Sequence, residues 1–258
     1  MLSRAVTLGL NAMRLVISDV AMRADAGVRL MVADIKSAFL YGAARRDIYI
    51  ELPPEDSRGQ GGRYVGRLLK AMYGTRDAPQ VWAEHLGVLL RKLGFRESIV
   101  MPGVFSHEKK GMKMAVHVDD LLVSGTPETL QWLTESLEKE FELKSEVLGP
   151  DVGQSWSVEY LGRKISWEDE GITIEGDKKH AKNLLKLMGM ENCKAVTNPY
   201  STKTEERDEE LLSATDARKY RGVAALISYM SQDPFDLFVV SCMLADGCPN
   251  PGYATTWS

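Results

Sequence analysis

Cysteine is scarce: Cys193, Cys242 and Cys248 are the only three in 258 residues. The last two have no matching pair at zinc-ligand spacing, and an odd, sparse count fits reduced thiols in an intracellular compartment. No apolar run approaches the ~18 residues that cross a bilayer, so no membrane span is expected. The first ten residues, Met-Leu-Ser-Arg-Ala-Val-Thr-Leu-Gly-Leu, are too weakly apolar for a secretory signal. Basic charge is not in excess either. The net charge is −4, so the global field does not attract nucleic acid and any basic groove must be local. A Gly-x-x-x-x-Gly-Lys-Ser/Thr loop is missing, which removes the P-loop nucleotide hydrolases. A His-Glu-x-x-His motif is also missing, which disfavours a zinc protease. His85, His107 and His180 have no partners at ligand spacing and read as surface or internally satisfied residues.

What is present is ordinary globular material, 44% hydrophobic and 26% charged, long enough for a real core in one large or two smaller domains. The chain is organised around residues 112–125, Met-Lys-Met-Ala-Val-His-Val-Asp-Asp-Leu-Leu-Val-Ser-Gly. Two β-favouring apolar runs flank adjacent acids, Asp119 and Asp120, which reads as a tight hairpin with the acids at its tip. Such a pair is either an ordinary polar turn or a place where two desolvated carboxylates await a divalent cation. A second stretch, residues 30–42, reads Leu-Met-Val-Ala-Asp-Ile-Lys-Ser-Ala-Phe-Leu-Tyr-Gly. It delivers a third acid, Asp34, at the end of a strand-like run, with Phe39 five residues on. Three acids at strand ends suit paired cations holding the attacking and leaving oxygens of a phosphoryl transfer.

Periodicity predicts a helix over 4–24, a strand over about 29–34, a strand over 47–52 ending at Pro53-Pro54, a loop over 55–63 and a strand or strand pair over 64–72. A helix over 78–93 follows, with Asp77 as N-cap, Pro79 in its first turn and Val81, Trp82, Leu86, Leu89, Leu90 and Leu93 as its buried stripe. Strands over 104–107 and 112–118, a helix over 128–140 and a strand over 141–147 come next. Residues 149–156 mark a boundary. Beyond it the pattern predicts a hairpin of 158–167 with 172–175, a helix over 177–188, a polar linker over 197–212, helices over 215–230 and 235–245, and an irregular tail.

At this point the sequence resembles the reverse transcriptase domain of Ty1/copia-type retrotransposons. The resemblance is carried by ordered blocks over roughly residues 10–245. They are Asp34-Ile-Lys-Ser-Ala-Phe-Leu-Tyr-Gly42, Ile48-Tyr-Ile-Glu-Leu-Pro-Pro-Glu55, Leu69-Lys-Ala-Met-Tyr-Gly-Thr-Arg-Asp-Ala-Pro-Gln-Val-Trp82, His117-Val-Asp-Asp-Leu121, Tyr160-Leu-Gly-Arg-Lys-Ile165 and Tyr220-Arg-Gly-Val-Ala-Ala-Leu-Ile-Ser-Tyr229. It implies an α+β fold: a reverse-transcriptase palm with partial fingers over 1–148, a thumb-like hairpin and helix over 149–196, and a linker with C-terminal helices of a connection region over 197–258. The implied activity is RNA-directed DNA polymerisation on an RNA or DNA template-primer with deoxynucleoside triphosphates, using two Mg²⁺ ions or Mn²⁺. Asp34, Asp119 and Asp120 would be the catalytic and metal-binding acids, with the Ile35 carbonyl a minor metal ligand. Lys36, Phe39, Arg76, Asp77, Pro79 and Val118 would form the nucleotide-binding set. Phe39 would lie under the incoming sugar and exclude a 2′-hydroxyl; otherwise it is a core phenylalanine.

Four departures shape the expectation. Asp77 stands where the family usually has Gln, and His117 where it has Tyr or Phe. Pro234-Phe235-Asp236 replaces a late Arg-Pro-Asp. Only about thirty residues precede Asp34, where the resemblance calls for a basic fingers hairpin that holds the triphosphate. The expectation is therefore weak divalent-metal binding with low nucleotide affinity. The alternative is a non-catalytic palm remnant that binds nucleic acid or a protein.

Overall fold

The structure, a computed structural model, describes residues 10–56, 58, 64–176, 178–194, 212–231 and 236–246. The predicted linker, the tail and most of the 55–63 loop lie outside these. Helix α1 (Leu10–Arg23) leads into strand β1 (Arg29–Ile35) through a 3-10 turn that ends at Gly27. Strands β2 (Tyr49–Glu51) and β3 (Val65–Arg67) pair as a small ribbon, and helix α2 (Ala78–Lys92) follows. Then come β4 (Arg96–Glu97), β5 (Val104–His107), β6 (Met112–His117), β7 (Asp120–Gly125), helix α3 (Pro127–Glu138) and β8 (Leu143–Leu148).

Six of these strands form one sheet in the order β4-β5-β6-β7-β1-β8, so β1 lies between β7 and β8, antiparallel to both. Alternation along the strands sends one set of side chains to each face. Met31, Ala33 and Ile35 of β1 join Leu121 and Val123 of β7 and Met112 and Met114 of β6. They pack under Trp82, Leu86 and Leu90 of α2 and Leu130, Leu133 and Leu137 of α3. Helix α1 packs against β1, β6 and β7, burying Ala12, Met13, Val16, Ile17 and Val20. This is an α+β layer arrangement with the acids at one edge of the central strands.

Strands β9 (Ser157–Tyr160), β10 (Arg163–Glu168) and β11 (Gly171–Gly176) form a second sheet in the order β11-β10-β9. The predicted single strand over 158–167 is thus two strands. Leu161 (φ 48°) and Gly162 (φ 71°) are both left-handed, which makes a two-residue hairpin turn inside that stretch. Asp77 also differs from expectation. It has helical φ and ψ, makes no side-chain cap, and turns to Arg46 instead; Pro79 does sit in the first turn of α2. Helices α4 (Lys178–Met188), α5 (Ala214–Met230) and α6 (Asp236–Asp246) follow among the described residues. The described residues divide into two compact units, one within 1–161 and 165–173 and one within 162–164 and 174–258. In the second, Val223, Ala224 and Ile227 of α5 pack with Leu244 of α6, and Leu184 and Met188 of α4 close the cluster. No helix among the described residues is long and apolar enough to cross a membrane.

Candidate active site

The β6–β7 hairpin closes on the pair His117 and Asp120, leaving Val118 and Asp119 as a two-residue loop. Val118 has φ 58°, a conformation that a β-branched side chain adopts only under strain. Two hydrogen bonds hold it there. The Trp82 indole N–H donates to the Val118 carbonyl at 2.6 Å, and the Ile35 amide donates to the Asp119 carbonyl at 3.0 Å. Trp82 is buried, and its polar edge needs an acceptor; the turn supplies it. The strained loop is thus fastened to α2 on one side and to β1 on the other.

Antiparallel pairing sets Asp34 directly opposite Asp120. Opposed residues share a face with Cβ atoms about 4.5–5.5 Å apart, so the two carboxylates emerge side by side. Asp119 is the next residue back in the loop. Asp34 is exposed, while Asp119 and Asp120 are half-buried. Burial, then the charges of Asp119 and Asp34, push the Asp120 carboxyl above the usual range, with His117 opposing. Among the described residues no lysine or arginine pairs with any of the three. Nor do any three His, Cys, Asp or Glu side chains there converge closely enough to form a ready-made metal cage. Lys144 of β8 stands opposite Asp34 on its other side, exposed and making no ion pair with it. The donors themselves are hard carboxylate oxygens without a direct ion-pair partner, which is the chemistry Mg²⁺ and Mn²⁺ accept.

Two tyrosines border the acids. Tyr73 lies with its ring centroid 4.5 Å from that of Phe39, and its hydroxyl is raised by burial and then by the charges of Asp119 and Asp34. Phe39 itself is 8% exposed and belongs to the core cluster, so its ring backs the more exposed Tyr73. Tyr160 on β9 is buried with an unpartnered hydroxyl, raised by burial and then by the charge of Asp120. Sequence patterning marked Trp82 only as packing and gave Tyr73 and Tyr160 no role of their own. The signal for Trp82 was the buried indole N–H; the tyrosines carried none outside the fold.

The remaining nucleotide-set residues scatter. Lys36 is exposed and pairs with Glu142 at 2.6 Å. Arg46 pairs with Asp77 at 2.8 Å, so that acid is neutralised from within the chain, and Arg45 pairs with Glu84. Arg76 is exposed with no partner among the described residues. Pro79 and Val118 line one small apolar cavity with Trp82 and Val116. The structure therefore brings Asp34, Ile35, Asp119, Asp120 and Val118 together, with Phe39 one ring behind. It leaves Lys36 and Asp77 committed to other partners.

An antiparallel sheet that presents paired acids at a hairpin turn, backed by two helices, is a reverse-transcriptase palm. Residues 5–202 match the family described as reverse transcriptase (RNA-dependent DNA polymerase). The chain is 28% identical over 201 residues to the retrovirus-related Pol polyprotein from transposon RE1 of Arabidopsis thaliana, covering 77% of this chain and 13% of that protein. It is 26% identical over 226 residues to the Pol polyprotein from transposon TNT 1-94 of Nicotiana tabacum, covering 86% of this chain and 16% of that one. Over 130 residues it is 32% identical to a transposon Ty5-1 protein of Saccharomyces cerevisiae, covering 47% of this chain and 42% of that protein. A solved apo telomerase from Candida tropicalis overlays with a TM-score of 0.40 at 11% identity, covering 64% of this chain and 39% of that one. The chain belongs to the reverse transcriptase (RNA-dependent DNA polymerase) family, within its Ty1/copia-type branch. It spans a small fraction of the length of the Pol polyproteins it matches.

Proposed function

We propose that the acidic turn is the nucleotidyl-transfer centre of an RNA-directed DNA polymerase. One observation carries this reading: Asp34 and Asp120 face each other across β1 and β7, Asp119 stands beside them on a braced turn, and no lysine or arginine of the described residues forms an ion pair with any of them, Lys144 opposite Asp34 included. A protein gains little stability from three acids without an ion-pair partner at one sheet edge, so the arrangement suits a ligand that brings positive charge. Divalent ions held by Asp34, Asp119, Asp120 and the Ile35 carbonyl would lower the pKa of a primer 3′-hydroxyl and offset triphosphate charge.

The chain's own residues do the positioning. Trp82 and Ile35 fix the turn that carries Asp119. Tyr73, with Phe39 behind it, offers an aromatic wall to the sugar of an incoming deoxynucleotide, and Phe39 keeps that wall upright. Arg76 is a cation open to a phosphate. Arg46 cancels the charge of Asp77, so this acid repels a nucleotide less than its sequence position implies.

A second reading has its own observation. The acids do not form a ready-made cage, and Lys36, Arg45 and Arg46 are already spent on Glu142, Glu84 and Asp77. In this reading the palm binds template without extending it. Primer extension on poly(A)/oligo(dT) with Mg²⁺ or Mn²⁺, run beside Asp119→Asn, separates the two. Metal-dependent incorporation above the Asp119→Asn background, however slow, supports catalysis. Incorporation equal to that background, with template still bound, leaves the binding reading.

A further inference from the structure

The sheet has a second charged end. Strand β6 rises about 3.4 Å per residue, so its ends lie roughly 17 Å apart. At the end away from the acids, the last turn of α2, β4 and the β5–β6 turn surround a cleft of about 820 Å³. Arg91, Lys92, Arg96, Lys109 and Lys110 line it, against Glu108 as the one acid of the lining, and Trp132 of α3 forms part of the wall. This concentration of positive charge sits on a chain whose net charge is −4.

The cations are poorly neutralised. Arg91 reaches Glu97 only at 3.9 Å, and Arg96 reaches Glu108 at 3.5 Å with both side chains well exposed. Such exposed pairs contribute little and open readily to a competing anion. Lys92 and Lys109 are exposed and have no carboxylate partner among the described residues. The Lys110 ammonium lies 4.1 Å over the Trp132 ring.

The floor of the cleft is built and rigid. His107 is buried; one ring nitrogen accepts from the Lys110 amide at 3.3 Å and the other donates to the Leu93 carbonyl at 3.1 Å. Both nitrogens are used, so this histidine holds the turn rather than a ligand. Gly94, at φ 97°, lets the ring approach; a Cβ there would stand 2.9 Å from its Nε2. The β5–β6 turn is thereby tied to the end of α2, and the cations of three segments face one space.

We propose that this cleft binds the phosphate backbone of a nucleic-acid strand, at a surface separate from the acidic turn. Cations set around an aromatic ring match a strand, whose phosphates take the charges while a base takes the indole face that Lys110 leaves as its ammonium turns to a phosphate. An acidic peptide would use the cations and leave the ring idle. The proposal stands on this cleft's own charge and shape and does not need the acidic turn to be catalytic.

The test is fluorescence anisotropy with a short labelled oligoribonucleotide and its DNA counterpart, without divalent metal. With about four phosphate contacts, affinity should fall about 50-fold between 50 and 200 mM salt. Lys92→Gln, Lys109→Gln and Lys110→Gln together should weaken binding at least about tenfold and lower the logarithmic salt slope by about 2, at an unchanged melting temperature. The triple variant leaves the acidic turn intact, so its loss of metal-free binding bears only on the cleft. An unchanged affinity and slope in the triple variant would overturn the proposal. So would binding of polyglutamate by a chain that ignores both oligonucleotides.

Discussion

Two carboxylates that meet the β6–β7 hairpin are treated in opposite ways. Asp19 of α1 is buried against the open end of the hairpin. It accepts from Ser124 Oγ at 2.6 Å, pairs with Arg23 at 3.0 Å and takes the Lys113 ammonium. Lys113 and Ser124 are themselves opposed residues of β6 and β7. Burial pushes the Asp19 carboxyl up, but the hydrogen bonds of Lys113 and Ser124 and the charges of Lys113 and Arg23 outweigh it, so the group ends below its ordinary value. Asp120, at the other end of the same strand, is less buried yet raised, because its neighbours are acids. A structural acid is satisfied by its own chain. The acids of the turn are left for something outside it, and that difference separates support from site better than burial does.

The comparison breaks most sharply at Asp119. Asp119→Asn should lower metal-dependent incorporation by at least about 10³-fold, since several kcal/mol of charge stabilisation rest on the acids. Circular dichroism should show an unchanged fold. Retained incorporation would sever the turn from the chemistry.

Asp19→Ala should do the reverse. Thermal melts should show a loss of about 2–3 kcal/mol, at the low end for a broken buried pair because Lys113 and Arg23 can turn to water. The pH dependence has a definite sign. With its folded pKa below the unfolded value of 3.8, Asp19 adds stability above that value, lost as pH falls through the folded one. The parent's acid limb of stability should therefore be steeper than that of Asp19→Asn.

Trp82→Phe tests whether the strained turn needs its brace. The buried Val118 carbonyl loses its donor, costing about 1–3 kcal/mol. A displaced turn should also cost up to about 10²-fold in rate, read as a fall in kcat larger than any change in KM. Phe39→Ala should destabilise by about 3–5 kcal/mol as a core truncation. If Phe39 supports the sugar wall, discrimination against ribonucleotides relaxes in the same variant, whereas Tyr73→Phe leaves it intact.

The smallest effect belongs to Asp120→Asn. Its folded pKa is raised, so the ionised carboxylate costs stability as pH rises above 3.8 through that value. The variant should melt higher near neutral pH, on the order of 1–2 °C, and the gain should vanish in acid or with saturating Mn²⁺. A lower melting temperature at neutral pH would show that Asp120 is held by the fold after all.

Much was legible from local pattern. Helical spacing marked α1, α2 and α3, and short β-favouring apolar runs marked β1 and the β6–β7 hairpin. The adjacent acids between two apolar runs marked the turn, because a period of two or 3.6 is written in neighbouring residues. The break at Leu161-Gly162 was not read from the sequence: a lone glycine inside a β-favouring stretch fits a bulge as well as a turn, and only the left-handed φ of both residues makes it a turn. Nor was the uncapped Asp77: its side chain had two destinations, and only the fold brought Arg46 to it. By itself the sequence determined which residues are acids, which runs are apolar and where the chain turns. Tertiary structure alone decided that Asp34 meets Asp120, that the Trp82 indole braces Val118, and that lysines from separate segments share one cleft. Those pairings join residues tens of positions apart, and a register across a sheet is set by packing, not by proximity along the chain.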